Sequence, residues 1–514
     1  MDIEYSKTYD RRWWTLGVLC LSLVMIVVAN ASLNVALPTL VKDLHASASS
    51  LQWIVDAYSL VFAGLLLTAG ALGDRYGRRL ALNAGLVVFG VASGLAALAG
   101  SSGQLIAARA AMGVGAALVM PATLSVLAHV FPPAERPRAI AIWAGFAGVG
   151  AGIGGVTSGW LLQHFSWGSI FLTNVGVVVV ALIAGAFLIP SSKADEESSL
   201  DPAGALLSIA GLGALIYAII EAPVRGWGSA GTLVSFAIAA VILAAFTTWE
   251  LRSRDPMLDL RFFRNPRFTA AASSITLIFF TMFGMIFILT QYLQAVLGYS
   301  PLEAGVRMLP WAAVYMLSAP RSARLVQRFG QRWVVSTGLF VVAAGLGLLS
   351  TSGLNANYPV LALSMIITAA GMGMVTAPST GAIVASLPLN KAGVGSAVND
   401  TTRELGGALG VAVIGSILAS IYRSDIAHRL PAAVHVATNS LGATLQSAGS
   451  LPPADAAVVT TAARQSYVHA FDLTLLVSVA VALGASGLVA WLLRPAPVEV
   501  TEVDGAAHPA FEAA

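Results

Sequence analysis

Charge is scarce in this sequence. Its 514 residues include 28 Lys and Arg and 25 Asp and Glu, so 10% of side chains are charged and 57% are hydrophobic. An average soluble domain carries about 25% charged and about 45–50% apolar residues. So thin a polar inventory cannot cover a water-facing surface, which excludes a soluble enzyme. Cysteine is limited to Cys20, so neither a disulfide framework nor a thiolate metal site can form. No HExxH, GxSxG or P-loop occurs, and the histidines fall near span ends or in loops. Those absences argue against an intramembrane enzyme and against nucleotide as the energy source, and they imply no cofactor and no resident metal. The net charge of +3 is small and dispersed, which gives nucleic acid no basic surface to bind.

What the chain has is apolar length. A stretch of about 20 residues rising 1.5 Å each crosses a hydrocarbon core about 30 Å thick. Fourteen such stretches are placed at 14–40, 52–72, 80–99, 104–127, 139–162, 168–189, 203–220, 232–250, 268–298, 307–319, 333–350, 358–384, 394–421 and 471–493. The first is too long for a signal peptide and lacks a clear small-residue cleavage site. With a cytoplasmic N-terminus, about 20 of the 28 basic residues lie in cytoplasmic loops, including Arg75, Arg78, Arg79, Arg136, Arg138 and the group Arg321, Arg324, Arg328 and Arg332. An even number of spans then returns the C-terminus to the cytoplasm. The expected product is an all-α polytopic protein of a cytoplasmic membrane, with the lipid bilayer as its solvent.

Polar linkers divide the spans into six, two and six. Residues 1–190 are read as a first six-helix bundle and 191–267 as two inserted helices with flanking cytoplasmic linkers. Residues 268–494 form a second six-helix bundle with an outer loop at 422–470, and 495–514 a polar cytoplasmic tail expected to be disordered. The loop after span 2 reads GALGDRYGRR at 70–79, and the loop after span 10 reads ARLVQRFGQR at 323–332. In register, Arg75 meets Arg328, Gly77 meets Gly330 and Arg79 meets Arg332. A tight turn alone favours Gly and Arg, but a spacing near half the chain points to a duplicated bundle, a common mark of secondary transporters.

At these residues the sequence resembles a family. GALGDRYGRRLAL is similar to the loop signature of the major facilitator superfamily, and LIAARAAMGVGAA at 105–117 to its span 4 signature around an arginine. NVALP at 34–38, WIVDAY at 53–58, QYLQAVLGYSPLEAG at 291–305 and NDTTRELGGALGVA at 399–412 resemble the fourteen-span drug:proton antiporters of the EmrB/QacA group. The resemblance implies two six-helix bundles plus two inserted helices. It also implies export of small amphipathic drugs, antiseptics or antibiotics in exchange for protons, by alternating access. Export of an endogenous lipid, siderophore or metabolite by the same machinery is the second reading.

Ionisable side chains inside spans cost about 2.5–3.5 kcal/mol each on insertion scales, which makes them functional candidates. Asp56, Arg109, Asp400, Arg403 and Glu404 stand out. Asp400 and Glu404 share one helix face by their i, i+4 spacing, and two carboxylates so close in a low dielectric cannot both ionise cheaply, so the pair can hold and release a proton. A static neutralisation by Arg403 is the competing reading. Arg109 needs a partner or a wet cavity, and Asp56, entering its own span at similar depth, is expected to pair with it.

Gly70, Asp74, Arg75, Gly77 and Arg78 form a candidate conformational latch, in family terms one that stabilises the outward-open state. In span 5, Gly150, Gly154, Gly155 and Gly159 permit close packing and bending, although the family's Gly-Pro pair is here Gly154-Gly155. Where the family carries an acid in span 1 this chain has Ala29, which implies fewer coupling charges and less attraction for dications. Asn30, Asn34, Trp53, Tyr58, Trp143, Tyr292 and Trp311 are candidates to line a substrate cavity, packing or interfacial anchoring being the alternative for the aromatics.

Overall fold

The computed structural model describes residues 10–132, 135–192, 201–254, 256–386, 392–430 and 436–493. The helices are α1 (Arg12–Leu44), α2 (Ala48–Tyr76), α3 (Arg78–Ala97), α4 (Ser102–Val130), α5 (Arg136–His164), α6 (Ser169–Leu188), α7 (Pro202–Arg225), α8 (Ala230–Arg252) and α9 (Pro266–Gln291). They continue as α10 (Pro301–Arg307), α11 (Leu309–Phe329), α12 (Gln331–Leu349), α13 (Tyr358–Ala385), α14 (Ala392–Arg429), α15 (Leu441–Ala448) and α16 (Pro453–Leu492). Twelve of them are long and apolar enough to cross a membrane. Two further long helices, α5 with 29 residues and α11 with 21, stand where spans 5 and 10 are expected. The linker residues 193–200 and the tail from 494 lie outside the described residues.

Turn chemistry sets many of the breaks. Ser47, Ser101 and Ser229 cap α2, α4 and α8 through side-chain oxygens that accept from backbone N–H groups left open in the first turn. Gly77 and Gly330 end α2 and α11 at φ 121° and 79°, a region that side chains avoid and glycine enters freely. Ser300 and Glu303 form a reciprocal capping box at α10. The Ser300 backbone N–H, donating to the carboxylate, holds Glu303 below its usual range.

The two bundles repeat one packing pattern. In the first, α1 packs on α5 and α6, α4 on α2 and α3, and α3 on α6. In the second, α9 packs on α14 and α16, α13 on α11 and α12, and α12 on α16. Substituting α9, α11, α12, α13, α14 and α16 for α1 to α6 converts one set into the other, which is the duplication read from the matched loops. Between the bundles, α2 meets α14 and α5 meets α10 and α11. Helices α7 and α8 form a hairpin outside this frame. Within α8 only Thr232, Ala239 and Glu250 are buried, while α7 touches both α2 and α14.

Glycine sets how closely the helices approach. A Cβ on Gly113 would lie 2.6 Å from the Tyr58 carbonyl oxygen, and one on Gly406 would run into the Thr276 carbonyl oxygen of α9. Gly406→Ala is therefore expected to destabilise the second bundle by about 1–3 kcal/mol, the usual cost of overpacking. A lower melting temperature in detergent would register it, with Gly381→Ala, which meets nothing within 4 Å, as the neutral control.

The segment 422–470 differs from the loop expected there. Helix α14 continues to Arg429, α15 occupies Leu441–Ala448, and α16 starts at Pro453. Hydropathy measures apolar length, not helix length, and Ala-rich polar sequence is a good helix former beyond the apolar zone. Helix α15 lies across the two bundles: its Gln446 amide is hydrogen-bonded to the His45 ring at 2.9 Å, Gly442 packs against Val41, and Tyr422 donates to Thr444 at 2.8 Å.

Candidate functional site

The expected pair of Asp56 with Arg109 does not form. Arg109 is fully buried; its Nε donates to the Ile54 carbonyl at 3.0 Å, one terminal nitrogen donates to Asn30 Oδ1 at 3.0 Å, and its guanidinium lies 4.3 Å from the Tyr58 ring centroid. The reason is helical register. Ile54 and Tyr58 are i, i+4 on the α2 face that meets α4, whereas Asp56, two residues along, is turned about 200° away. Both Asp56 carboxylate oxygens are buried without a hydrogen-bond partner.

Arg109 therefore belongs to a polar group held by α1, α2 and α4. Asn30, expected to line a cavity, is its acceptor, and Asn34 turns back to donate to the Asn30 carbonyl at 3.1 Å. Ala29 is 3% exposed and packed in the core, so the first span offers Arg109 an amide one residue further on. Lys cannot reproduce a planar fork that holds two acceptors while lying on a ring. Arg109→Lys is expected to cut transport at least about tenfold with folded yield preserved, as initial rates per inserted molecule would show.

On α14, Asp400 Oδ1 lies 3.5 Å from Arg403 and 3.4 Å from the Asn399 amide. Arg403 also lies 4.7 Å over the Phe279 ring. Glu404 is different. Its Oε2 is buried with no partner, and its carboxylate is close enough to Ser59, Arg403, Asp400 and Arg109 to interact with each. The pair expected to act alike is thus split into an ion-paired Asp400 and a less compensated Glu404, which faces Ser59 across the seam between the bundles. Ser59 carried no sequence signal, since a lone serine in an apolar span is common.

The latch residues are bonded within the first bundle. Asp74 accepts from Arg78 at 3.0 Å, the Arg78 N–H donates to the Ser192 carbonyl, and Arg79 donates to the Ala186 carbonyl at 2.8 Å. Arg75 lies over the Tyr76 ring at 5.7 Å, and Gly70 rests near Pro121. These bonds tie the α2–α3 turn to the end of α6.

Span 5 glycines serve close approach. Gly150 faces Val27, Gly154 would meet Ala31 at 2.8 Å, Gly155 packs on Gly305, and a Cβ on Gly159 would lie 2.5 Å from the Leu302 Cα. Helix α5 is one uninterrupted element. The last two contacts join the bundles toward the α1–α2 turn. Three glutamines join them toward the same end: Gln52 donates to the Val411 and Ala412 carbonyls, Gln294 donates to the Val35 carbonyl, and Gln446 bonds His45. None of the three was singled out in the sequence, because an uncharged amide in a span does not announce its partner.

The aromatic candidates divide. Tyr58 is under Arg109. Tyr292 is fully buried, stacks on Phe471 at 4.6 Å and donates to the Gly353 carbonyl, so it serves the second bundle's core rather than a cavity. Trp53 packs toward Tyr217 of α7. Trp311 is stacked on Tyr315, and the indole N–H groups of Trp311 and Trp143 are buried without partners. Among the described residues, no group of three or more His, Cys, Asp or Glu is placed to hold a metal ion.

Comparison with known proteins follows this geometry. Residues 19–411 match the model of the Major Facilitator Superfamily. The chain is 36% identical over 493 residues to the multidrug efflux pump LfrA of Mycolicibacterium smegmatis, covering 95% of this chain and 98% of that protein. It is 32% identical over 507 residues to the tetracenomycin C resistance and export protein of Streptomyces glaucescens, covering 96% and 94%. It is 34% identical over 475 residues to the methyl viologen resistance protein SmvA of Salmonella typhimurium, covering 90% and 95%. Among solved structures, a bacterial homolog of the human lysosomal transporter Spinster, inward-facing and unoccupied, matches with TM-score 0.64 and 16% identity over 95% of this chain and 99% of that one. That likeness concerns the fold alone.

Proposed function

The chain belongs to the Major Facilitator Superfamily, and on that premise we propose that this integral membrane protein exports amphipathic drugs in exchange for protons. The observation that carries the coupling is Glu404. A buried carboxylate with an unpartnered oxygen, set on the second bundle against Ser59 and within reach of Arg109 on the first, is placed where relative motion of the bundles changes its surroundings. A proton bound in one arrangement and released in the other links the gradient to that motion.

We read the fourteen long helices as fourteen spans, as in the drug:proton antiporters, with both termini cytoplasmic. The repeated packing supports a division into bundles at 1–190 and 268–494, with α7 and α8 inserted. The α2–α3 turn then lies at the cytoplasmic face, and the contacts of Gly155, Gly159, Gln52 and Gln294 lie toward the outside, so the described arrangement is closed outward. In it Asp74 accepts from Arg78, and the turn is tied to the end of α6 and the residues just after it; these bonds are the ones we expect to be remade when the cytoplasmic side closes.

The multidrug efflux in the name of LfrA and the resistance in that of SmvA favour drugs as substrates. Export of an endogenous lipid, siderophore or metabolite is the second reading; the likeness to the tetracenomycin C resistance and export protein supports export of a small molecule under either. Efflux from a pump-deficient host, measured across amphipathic cations, neutral polyketides and siderophores with and without a protonophore, tests both. Loss of export on adding the protonophore is expected, and protonophore-insensitive export would overturn the coupling.

A further inference from the structure

Asp56 is left unused by that site. It is fully buried, and neither carboxylate oxygen has a hydrogen-bond partner. Its surroundings follow from the register of α2. Gln52 and Ser59, to one side of it, meet α14, whereas Trp53, Leu60 and Gly64, to the other, meet Tyr217, Gly213 and Ile209 of α7. Asp56 thus points into the crease where α2, α14 and the inserted helix converge. That crease is filled by Leu60, Ile216, Ile219, Ile220, Ala408 and Ala412.

Among the described residues no charge faces it there. Glu404, Arg403 and Asp400 of α14 lie one or more turns away, with Glu404 at Ser59. Arg109 of α4 is on the opposite face of α2, and Glu221 and Arg225, one and two turns beyond Tyr217 on α7, pair with each other at 3.5 Å. Arg423 of α14 donates to the Pro223 carbonyl. An ionised carboxylate without a partner is strongly disfavoured in such a crease, so Asp56 is accommodated here as the neutral acid.

Helix α7 is fixed to one side of the crease more firmly than to the other. Ser416 of α14 donates to the Ile219 carbonyl at 2.9 Å, Arg423 to the Pro223 carbonyl at 2.8 Å, and Trp227, just past α7, to Ser420 at 3.1 Å. Toward α2 it packs against Trp53, Leu60 and Gly64, with no side-chain hydrogen bond among the described residues. We propose that Asp56 is a second proton-binding site and that α7 is its gate, sealing the crease while the proton is bound and parting from α2 when it is lost. The inserted hairpin thereby acquires a mechanical task. This rests on the exporter reading only in requiring two arrangements of the bundles, and it is independent of Glu404.

The test uses the full chain in liposomes with Cys20→Ser and a single thiol in the crease, Ala412→Cys, labelled by a water-soluble maleimide. Labelling is expressed at each pH as the ratio of the rate with Asp56 to the rate with Asp56→Asn, which cancels the ionisation of the thiol itself. The expected ratio is near one at pH 5.5 and about tenfold or more at pH 8.5, since each pH unit above the group's midpoint weights the open crease about tenfold. The same ratio taken against Asp56→Ser covers a failure of the asparagine variant to fold. In a Glu404→Gln background the pH dependence should persist, which separates this reading from the coupling assigned to Glu404. A ratio that stays near one at every pH against both variants would overturn the proposal.

Discussion

Glu404→Gln is expected to leave an inserted, folded protein that still equilibrates substrate across a membrane but loses the share of its accumulation that one exchanged proton supplies. One pH unit corresponds to about 1.36 kcal/mol per proton, or about tenfold in the substrate ratio it can sustain. Removing the exchangeable proton should therefore lower the accumulation reached at a one-unit gradient about tenfold, while counterflow driven by substrate itself is retained. Gln keeps the shape and the capacity to bond Ser59, so loss through misfolding is not expected. Asp400→Asn should have the smaller effect, because Asp400 already has Arg403 at 3.5 Å whereas Glu404 Oε2 has no partner. Everted vesicles loaded by a defined pH gradient give both readings. Gradient-driven uptake by Glu404→Gln at the native level would remove this residue from the coupling.

A second large effect is expected from Gly159→Val. Its Cβ would stand 2.5 Å from the Leu302 Cα and 2.7 Å from the Pro301 carbonyl oxygen, and both neighbours are backbone that cannot rotate aside. The clash exists only while α5 and α10 touch, so its cost of about 1–3 kcal/mol falls on one arrangement and moves the balance between the two by roughly 5- to 150-fold. Export should fall by a similar factor, with substrate affinity of the other arrangement and thermal stability little changed. Gly305→Val should do the same from the opposite wall, because its new side chain would run into the Gly155 carbonyl. Gly145→Val, on α5 with nothing within 4 Å, should transport normally. Equal losses in all three would mean that valine simply damages these helices.

Length and periodicity carried the architecture into the sequence legibly. The stretches 52–72 and 168–189 became α2 and α6 with ends shifted by a few residues, because apolar span length is a direct record of bilayer thickness. The echo of 70–79 in 323–332 correctly placed equivalent turns before α3 and α12. Partners were the part that could not be read. Depth alone made Asp56 and Arg109 look paired, but a helix assigns direction as well as depth, and two residues of register separate Tyr58 from Asp56 by most of a half turn. The contacts of Gly159 with Leu302 and of Gln52 with α14 depend on how the bundles lean together, which no local pattern encodes. Amphipathic extensions past the bilayer, such as the first turns of α16 from Pro453, carry too little apolar contrast to be separated from loop.

Helix α15 has a kinetic consequence. It is joined to the second bundle by its own chain and to the first, among the described residues, by the exposed hydrogen bond of Gln446 to His45 and the packing of Gly442 on Val41. A hydrogen bond of that kind contributes about 0.5–1.5 kcal/mol, and breaking it once per cycle slows the step that exposes the far side by roughly two- to tenfold. A drag of that size is too weak to hold the door shut and large enough to set how often it swings. Turnover could then be tuned by exchanging residues on a surface helix that touches neither cargo nor proton.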